Sequence, residues 1–249
     1  MMNVMKTGLG RTLLAATAVA GVMALAAPQA HATFLIQTSA DGSSWNNYYS
    51  NATDGTTYLS PGGLTVNGLS ITQVNVTSNS PGSVTASYED SSAFSVKNTT
   101  SAAITAYLLV TSQNFTTPSG IGPFELDNSI AGTITNAGIG SSVQDRSAVS
   151  QLNLSGAPIL GSSNITSWAV APLSGHAPYL ADTNIVFSPL ASPYSMAQEI
   201  EITLGAGAQI AITADSQLYA VPEPATYATF AVGLLALAGM GFTAARRRG

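Results

Sequence analysis

Between residues 33 and 220 the hydrophobic positions recur with a period of two, and this alternation predicts strands. In Leu69-Ser-Ile-Thr-Gln-Val-Asn-Val76 the apolar residues fall at 69, 71, 74 and 76, and the break in phase at Gln73 predicts a bulge. Ser83 to Tyr88, Ala103 to Thr111, Val149 to Leu154 and Asn184 to Ser188 repeat the pattern. The clearest pair is Glu199-Ile-Glu-Ile-Thr-Leu204 and Ala208-Gln-Ile-Ala-Ile-Thr213, joined by Gly205-Ala-Gly207. It predicts a β-hairpin with one buried face, which leaves Glu199 and Glu201 on the solvated side. Turn signals such as Pro61-Gly-Gly63 and Pro81-Gly82 punctuate the runs, and no helical period intervenes. The expected architecture is therefore all-β, a single β-sandwich-like domain over 33–220. No repeat of constant period is present, which argues against a solenoid or propeller.

The two ends follow another rule. Lys6 and Arg11 precede an uncharged run from Leu13 to Ala27, and Ala30-His31-Ala32 places small residues where a signal peptidase reads them. Residues 1–32 are expected to be a signal peptide cut between Ala32 and Thr33. At the other end, residues 225–245 carry no charge, and as a helix they would be about 31 Å long, the thickness of the hydrocarbon layer. Arg246, Arg247 and Arg248 follow at once and are expected to stay cytoplasmic. Both ends give one topology, with a single C-terminal transmembrane helix and the domain on the far side of the membrane.

Once these ends are set apart, the charge of the rest changes. The whole chain has a formal charge of −5, yet residues 33–220 hold 11 acidic residues and only two basic ones, Lys97 and Arg146. So few cations exclude a nucleic-acid partner held through phosphates. The absence of cysteine excludes disulfides, thiolate metal sites and thiol nucleophiles. Ser and Thr fill 51 of these 188 positions, and Leu, Ile, Val and Phe only 44, so the expected core is lean.

Immediately before the apolar segment stands Val221-Pro222-Glu223-Pro224, and the ending reads VPEPATYATFAVGLLALAGMGFTAARRRG. This quartet, a Gly- and Ala-rich span and a terminal arginine cluster resemble the PEP-CTERM sorting signal of Gram-negative bacteria over residues 221–249. The resemblance implies recognition and cleavage near Pro-Glu-Pro by an exosortase. It also implies an inner-membrane precursor with its domain in the periplasm, then release to the outer surface or an exopolysaccharide matrix. The residues support an extended segment independently: Pro222 and Pro224 fix their own φ and push Val221 and Glu223 out of the helical region. A rigid stop ahead of a helix is the other reading of those prolines.

Candidates for chemistry are few. His176 is the one histidine after signal removal and sits in a loop context without a nucleophile elbow, so no catalytic triad is expected. Glu199 and Glu201 share a strand face and would serve glycoside cleavage only across a substrate groove. Glu89-Asp90 and Glu125-Leu-Asp127 lack the spacing of a calcium loop, and no metal or other cofactor is expected, with a single carbonyl-rich calcium site in a loop left open as the alternative. The segment DGSSWNNYYSNATDGTTY, residues 41–58, reads as a loop that sets Trp45, Tyr48, Tyr49 and Tyr58 among hydroxyls and amides. That is a candidate platform for sugar rings; the alternative is that the aromatics cap one end of the core. The expectation is a non-enzymatic envelope or matrix protein whose partners are signal peptidase, exosortase and exopolysaccharide, with a glycan-binding adhesin and a secreted polysaccharide-acting enzyme as the competing classes.

Overall fold

In the computed structural model of the protein the described residues are 33–51, 57–59, 63–162, 164–173, 175–222 and Val232. The strands in chain order are β1 (Phe34–Ser39), β2 (Asn46–Asn51), β3 (Thr57–Leu59), β4 (Leu64–Val66), β5 (Leu69–Ile71), β6 (Asn75–Ser78), β7 (Ala86–Asn98) and β8 (Ile104–Phe115). They continue with β9 (Phe124–Asn136), β10 (Ser142–Ser150), β11 (Asn164–Ile165), β12 (Ala169–Pro172), β13 (Pro178–Phe187), β14 (Tyr194–Leu204) and β15 (Gln209–Ala220). They form two antiparallel sheets, the arrangement of a β-sandwich. The first runs β11-β10-β14-β8-β1-β2 with β12 also beside β10; the second runs β13-β9-β15-β7-β5-β4, with β6 beside β7 and β3 beside β6. No helix among the described residues is long and apolar enough to cross a membrane. The segments expected to be signal peptide and anchor, 1–32 and 225–245, lie outside the described residues apart from Val232.

Alternation decides what each sheet buries. On β14 the even positions Ile200, Ile202 and Leu204 face the second sheet, and on β15 Ile210, Ile212 and Leu218 face the first; all are buried. Each such aliphatic side chain contributes about 2 kcal/mol. The expected hairpin is corrected here. β14 pairs with β10 and β8, whereas β15 pairs with β7 and β9, so Gly205-Ala-Gly207 carries the chain from one sheet to the other. A hairpin and a crossover bury the same alternate residues, so the pattern alone could not tell them apart. The glycines serve the crossover: Gly207 has φ 68°, and Gly205 packs against Gly138 so closely that a Cβ would lie 2.7 Å from that backbone.

Other boundaries moved as well. The break at Gln73 is wider than a bulge and leaves two strands, β5 and β6, each paired with β7. The run read from Val149 instead ends β10 at Ser150, and the chain then forms a 3-10 turn, Ala157–Gly161. Ile159 of that turn packs on Leu109, Ala148 and Ala197 outside the first sheet, which is why the centre of β14 is buried on both faces.

The interior is not uniformly apolar. One cluster gathers around Phe34, Ile36, Leu108, Ile200 and Ile210, and a second around Phe115, Phe124, Met196 and Leu218. Polar residues facing inward lie between them. Asn128, Ser216, Glu89 and Ser78 sit opposite one another across four strands of the second sheet, all buried. The first sheet answers with Ser147, Gln198, Asp145 and Ser112, each buried. Ser147 Oγ donates to Asn128 Oδ1 at 2.6 Å from sheet to sheet, and Gln198 Nε2 donates to Asp145 Oδ2 at 3.0 Å. Beside this band Tyr194 stacks on Phe115, with ring centroids 5.5 Å apart, and its hydroxyl meets Ser87 Oγ of the second sheet at 2.8 Å.

Candidate functional site

The outward face of the first sheet collects aromatic and charged side chains. Arg146 on β10 lies opposite Glu199 on β14, and its Nε donates to Glu199 Oε2 at 2.5 Å. The same guanidinium lies 4.4 Å from the ring centroid of Trp168, which leads into β12 beside β10. One rung along, Glu201 pairs with Tyr107 of β8, and Tyr107 meets Trp45 edge to face with centroids 6.4 Å apart. A turn places Trp45: Asp41 Oδ1 accepts from the N–H groups of Ser43 and Ser44 at 2.8 and 2.7 Å. Gly42, at φ 72°, sits under the Tyr107 ring where a Cβ would come within 3.1 Å of it.

The result is a strip of Trp168, Arg146, Glu199, Glu201, Tyr107 and Trp45, from β12 across β10, β14 and β8 to the turn between β1 and β2. At about 4.8 Å per strand these four steps cover about 19 Å. Both tryptophans of the protein stand on it, one toward each end.

Its electrostatics follow from burial. Glu199 is 2% exposed; burial pushes its carboxyl above the ordinary range, and Arg146 draws it back. Correcting the sequence expectation, Glu199 does not belong to a solvated side: it is buried and bonded to Arg146, while Glu201 stays half-buried. Burial also raises the Tyr107 hydroxyl, with help from the Glu201 and Glu199 charges. The turn N–H groups of Ser44 and Ser43 hold exposed Asp41 well below the usual carboxylate range. The strip thus offers aromatic surfaces at its ends and hydrogen-bonding oxygens between them. Glu199, buried and engaged by Arg146, is poorly placed to exchange protons with a ligand.

The residues singled out in the sequence are scattered. Segment 41–58 is not one loop: Tyr48 and Tyr49 lie on β2 and pack against the main core, while Tyr58 lies on β3 in the second sheet, its backbone opposite Val76. Of the four aromatics, Trp45 alone joins the strip. His176 is exposed in the turn ahead of β13. Thr33 is half-buried, and its carbonyl accepts from Gln113 N at 3.2 Å. Val221 N donates to Pro123 O at 2.9 Å, and Pro222 is exposed. Glu223, Pro224, Arg246, Arg247, Arg248, Ala30 and Ala32 lie outside the described residues. Sequence reasoning missed Tyr107, Arg146 and Trp168. The one available signal was that a chain with two tryptophans sets both beside polar runs, at Ser43-Ser44-Trp45-Asn46-Asn47 and Asn164-Ile-Thr-Ser-Trp168.

The opposite outer face, on the second sheet, has another character. Asp127, Asp182 and Asp215 line a shallow depression, Tyr219 Oη donates to Asp127 Oδ2 at 3.1 Å, and burial followed by the Asp90 charge raises Asp215.

No protein-family model matches the chain, and no curated protein matches it. Among solved structures, the enzymatically active domain of tailspike protein 4 of bacteriophage CBA120 is similar over 64% of this chain at 14% identity, with a TM-score of 0.30. The match spans 19% of that tailspike chain. Carbohydrate-binding modules of the β-sandwich superfamily are similar over 74% of this chain and 83% of theirs, at 8% identity and a TM-score of 0.25.

Proposed function

We propose that this is an exported envelope protein, sorted through residues 221–249 by an exosortase, whose β domain binds extracellular polysaccharide on the outward face of the first sheet and has no enzyme activity. The observation that carries the binding reading is the strip itself, with Trp168 and Trp45 at its ends and Glu201 and Tyr107 between. Sugar rings have apolar C–H faces that rest on aromatic rings and hydroxyl edges that bond to carboxylates and phenols. The sorting reading rests on the Val221-Pro222-Glu223-Pro224 quartet, the uncharged 225–245 and Arg246-Arg247-Arg248. The precursor is held in the inner membrane after signal peptidase removes 1–32, and the product goes to the outer surface or matrix.

A glycan panel scored for both binding and hydrolysis tests the first part. Retention by one class of polysaccharide, lost in Trp168→Ala, is the expected result; hydrolysis lost in Glu201→Gln would make the protein an enzyme. Mass spectrometry of the surface form, with and without exosortase, tests the second. A surface form still ending in Arg-Arg-Arg-Gly would make the tail a permanent anchor.

A further inference from the structure

We propose that the end of the sandwich from which the chain leaves toward residues 225–245 rests on the lipid surface of the membrane, with Val84 and Ile121 set among the headgroups. The inference rests on the reading of 225–245 as a membrane span and adds to it which surface of the domain meets lipid.

Four loops meet at that end: 79–85, 116–123, 151–156 and 188–193. Hydrogen bonds join them into one rim. Thr116 N donates to Pro81 O at 2.9 Å, Gly120 and Leu190 each donate to the other's carbonyl at 2.9 Å, and Gln151 Nε2 donates to Pro189 O at 2.9 Å. Prolines at 81, 118, 123, 189 and 193 fix φ within it.

The rim differs chemically from the rest of the domain. Residues 33–220 hold 11 acidic residues, yet none of the four loops carries a charge. Val84, Ile121 and Leu152 stand on them 81%, 91% and 80% exposed. An acidic domain is repelled by anionic lipid, so an uncharged end is the one it can bring close. Exposed aliphatic tips gain by leaving water there. The opposite end has an exposed apolar residue too, Ile139, but shares it with exposed Asp41 and His176.

The tether makes the approach unavoidable. Val221 N donates to Pro123 O at 2.9 Å and Ala220 N to Thr85 O at 3.4 Å, which pins the departing chain between the loops that carry Val84 and Ile121. Those two residues line one groove with Pro118, Phe124, Ala220 and Val221. From Val221 to the start of the uncharged run at Ala225 the chain can reach at most about 14 Å, and headgroups fill about 5–8 Å of that. The other segment read as membrane-directed joins here as well, because Thr33 O accepts from Gln113 N beside the end of β8.

The chain has no cysteine, so Val84→Cys, Ile121→Cys and Ile139→Cys can each carry a single polarity-sensitive fluorophore. The full chain, recovered from cells without exosortase, is placed in vesicles of phosphatidylethanolamine and phosphatidylglycerol that hold no other protein, with iodide on both sides. Labels at 84 and 121 should lose most of their quenching by iodide and be quenched by a nitroxide carried on the lipid headgroup. The label at 139 should do neither, since β15, with 12 residues at about 3.3 Å each, sets the two ends about 40 Å apart. Vesicles that float with the chain after a carbonate wash, but whose labels at 121 and 139 meet iodide equally, would overturn the proposal and leave the span standing. Shielding at 121 without nitroxide quenching would overturn it too, since protein would then cover the rim. A chain that does not float with the vesicles would remove the span itself, and this proposal with it. Ile121 and Val84 are both exposed, so neither substitution disturbs the core, and each checks the other.

Discussion

β10 and β14 place two carboxylates back to back and treat them in opposite ways. Asp145 and Arg146 are adjacent in the chain, as are Gln198 and Glu199, and strand alternation sends each neighbour to the other face of the sheet. Outward, buried Glu199 is met by a guanidinium at 2.5 Å and a nearby indole. Inward, Asp145 is met by an amide alone and shares the interior with Glu89. The outward carboxylate carries its counter-charge in the fold, whereas the inward pair has no basic partner among the described residues.

The largest test of that difference is pH. Burial pushes Glu89 from the ordinary glutamate range up to about 8 and raises Asp145, the charge on Glu89 contributing to the second shift. A carboxyl whose folded pKa is raised binds its proton more tightly when folded. Its contribution is therefore complete below the unfolded pKa and is lost as pH rises toward the folded one. The protein should lose about 1.4 kcal/mol per pH unit on account of Glu89 alone between roughly pH 5 and 8, as read by urea unfolding. Glu89→Gln should flatten the curve. A wild-type curve already flat over that window would mean that the interior carboxyls are not alone.

On the outward face the expected loss is smaller. Arg146→Ala strips Glu199 of its partner and should cost about 2 kcal/mol, less than a fully buried pair because Arg146 is 27% exposed. Adding Glu199→Gln should recover part of that loss, since the stranded charge disappears. A double variant no more stable than Arg146→Ala would place the cost in packing against Trp168 instead.

This contrast also explains what could be read from the chain. Alternation at Ile200, Ile202, Ile210 and Ile212 located buried faces correctly, because aliphatic side chains in a two-layer fold have one place to go. It could not name partners, and so a sheet crossover read as a hairpin. The polar band was invisible for the opposite reason. In β7 the inward positions are Ser87, Glu89 and Ser91 while Tyr88 points outward, 38% exposed, so the rule linking polarity to the outside runs backward there. The outward strip escaped as a unit because Trp45, Tyr107 and Trp168 come from distant segments that meet only through register. Segment 41–58 drew attention by its local density of aromatics, yet two of them support the core and a third lies on the other sheet.

If the outward strip is the ligand surface, its two ends should respond unequally. Trp168 is held by a cation, and Trp168→Ala removes both its ring and a stacking partner of Arg146. Glycan affinity should fall about tenfold, an effect near 1.4 kcal/mol, while stability falls by no more than about 1 kcal/mol. Equal affinities before and after would remove the strip from the ligand reading.

The finest distinction concerns Tyr107, whose hydroxyl lies next to Glu201 and whose ring meets Trp45. Tyr107→Phe keeps the ring and deletes the hydroxyl; Tyr107→Leu deletes both. An edge-to-face contact is worth about 0.5–1.5 kcal/mol, so Tyr107→Leu should destabilise by about that amount and shift the Trp45 emission toward the red. Tyr107→Phe should leave stability and emission nearly unchanged, because the hydroxyl, charged neighbours included, stays near solvent at the strip. Any loss of glycan affinity in Tyr107→Phe then reports a hydrogen bond to the ligand and not a repacked surface. Loss confined to Tyr107→Leu would instead make Tyr107 a prop for Trp45. The two substitutions therefore separate a phenol that touches sugar from a ring that only positions the tryptophan beside it.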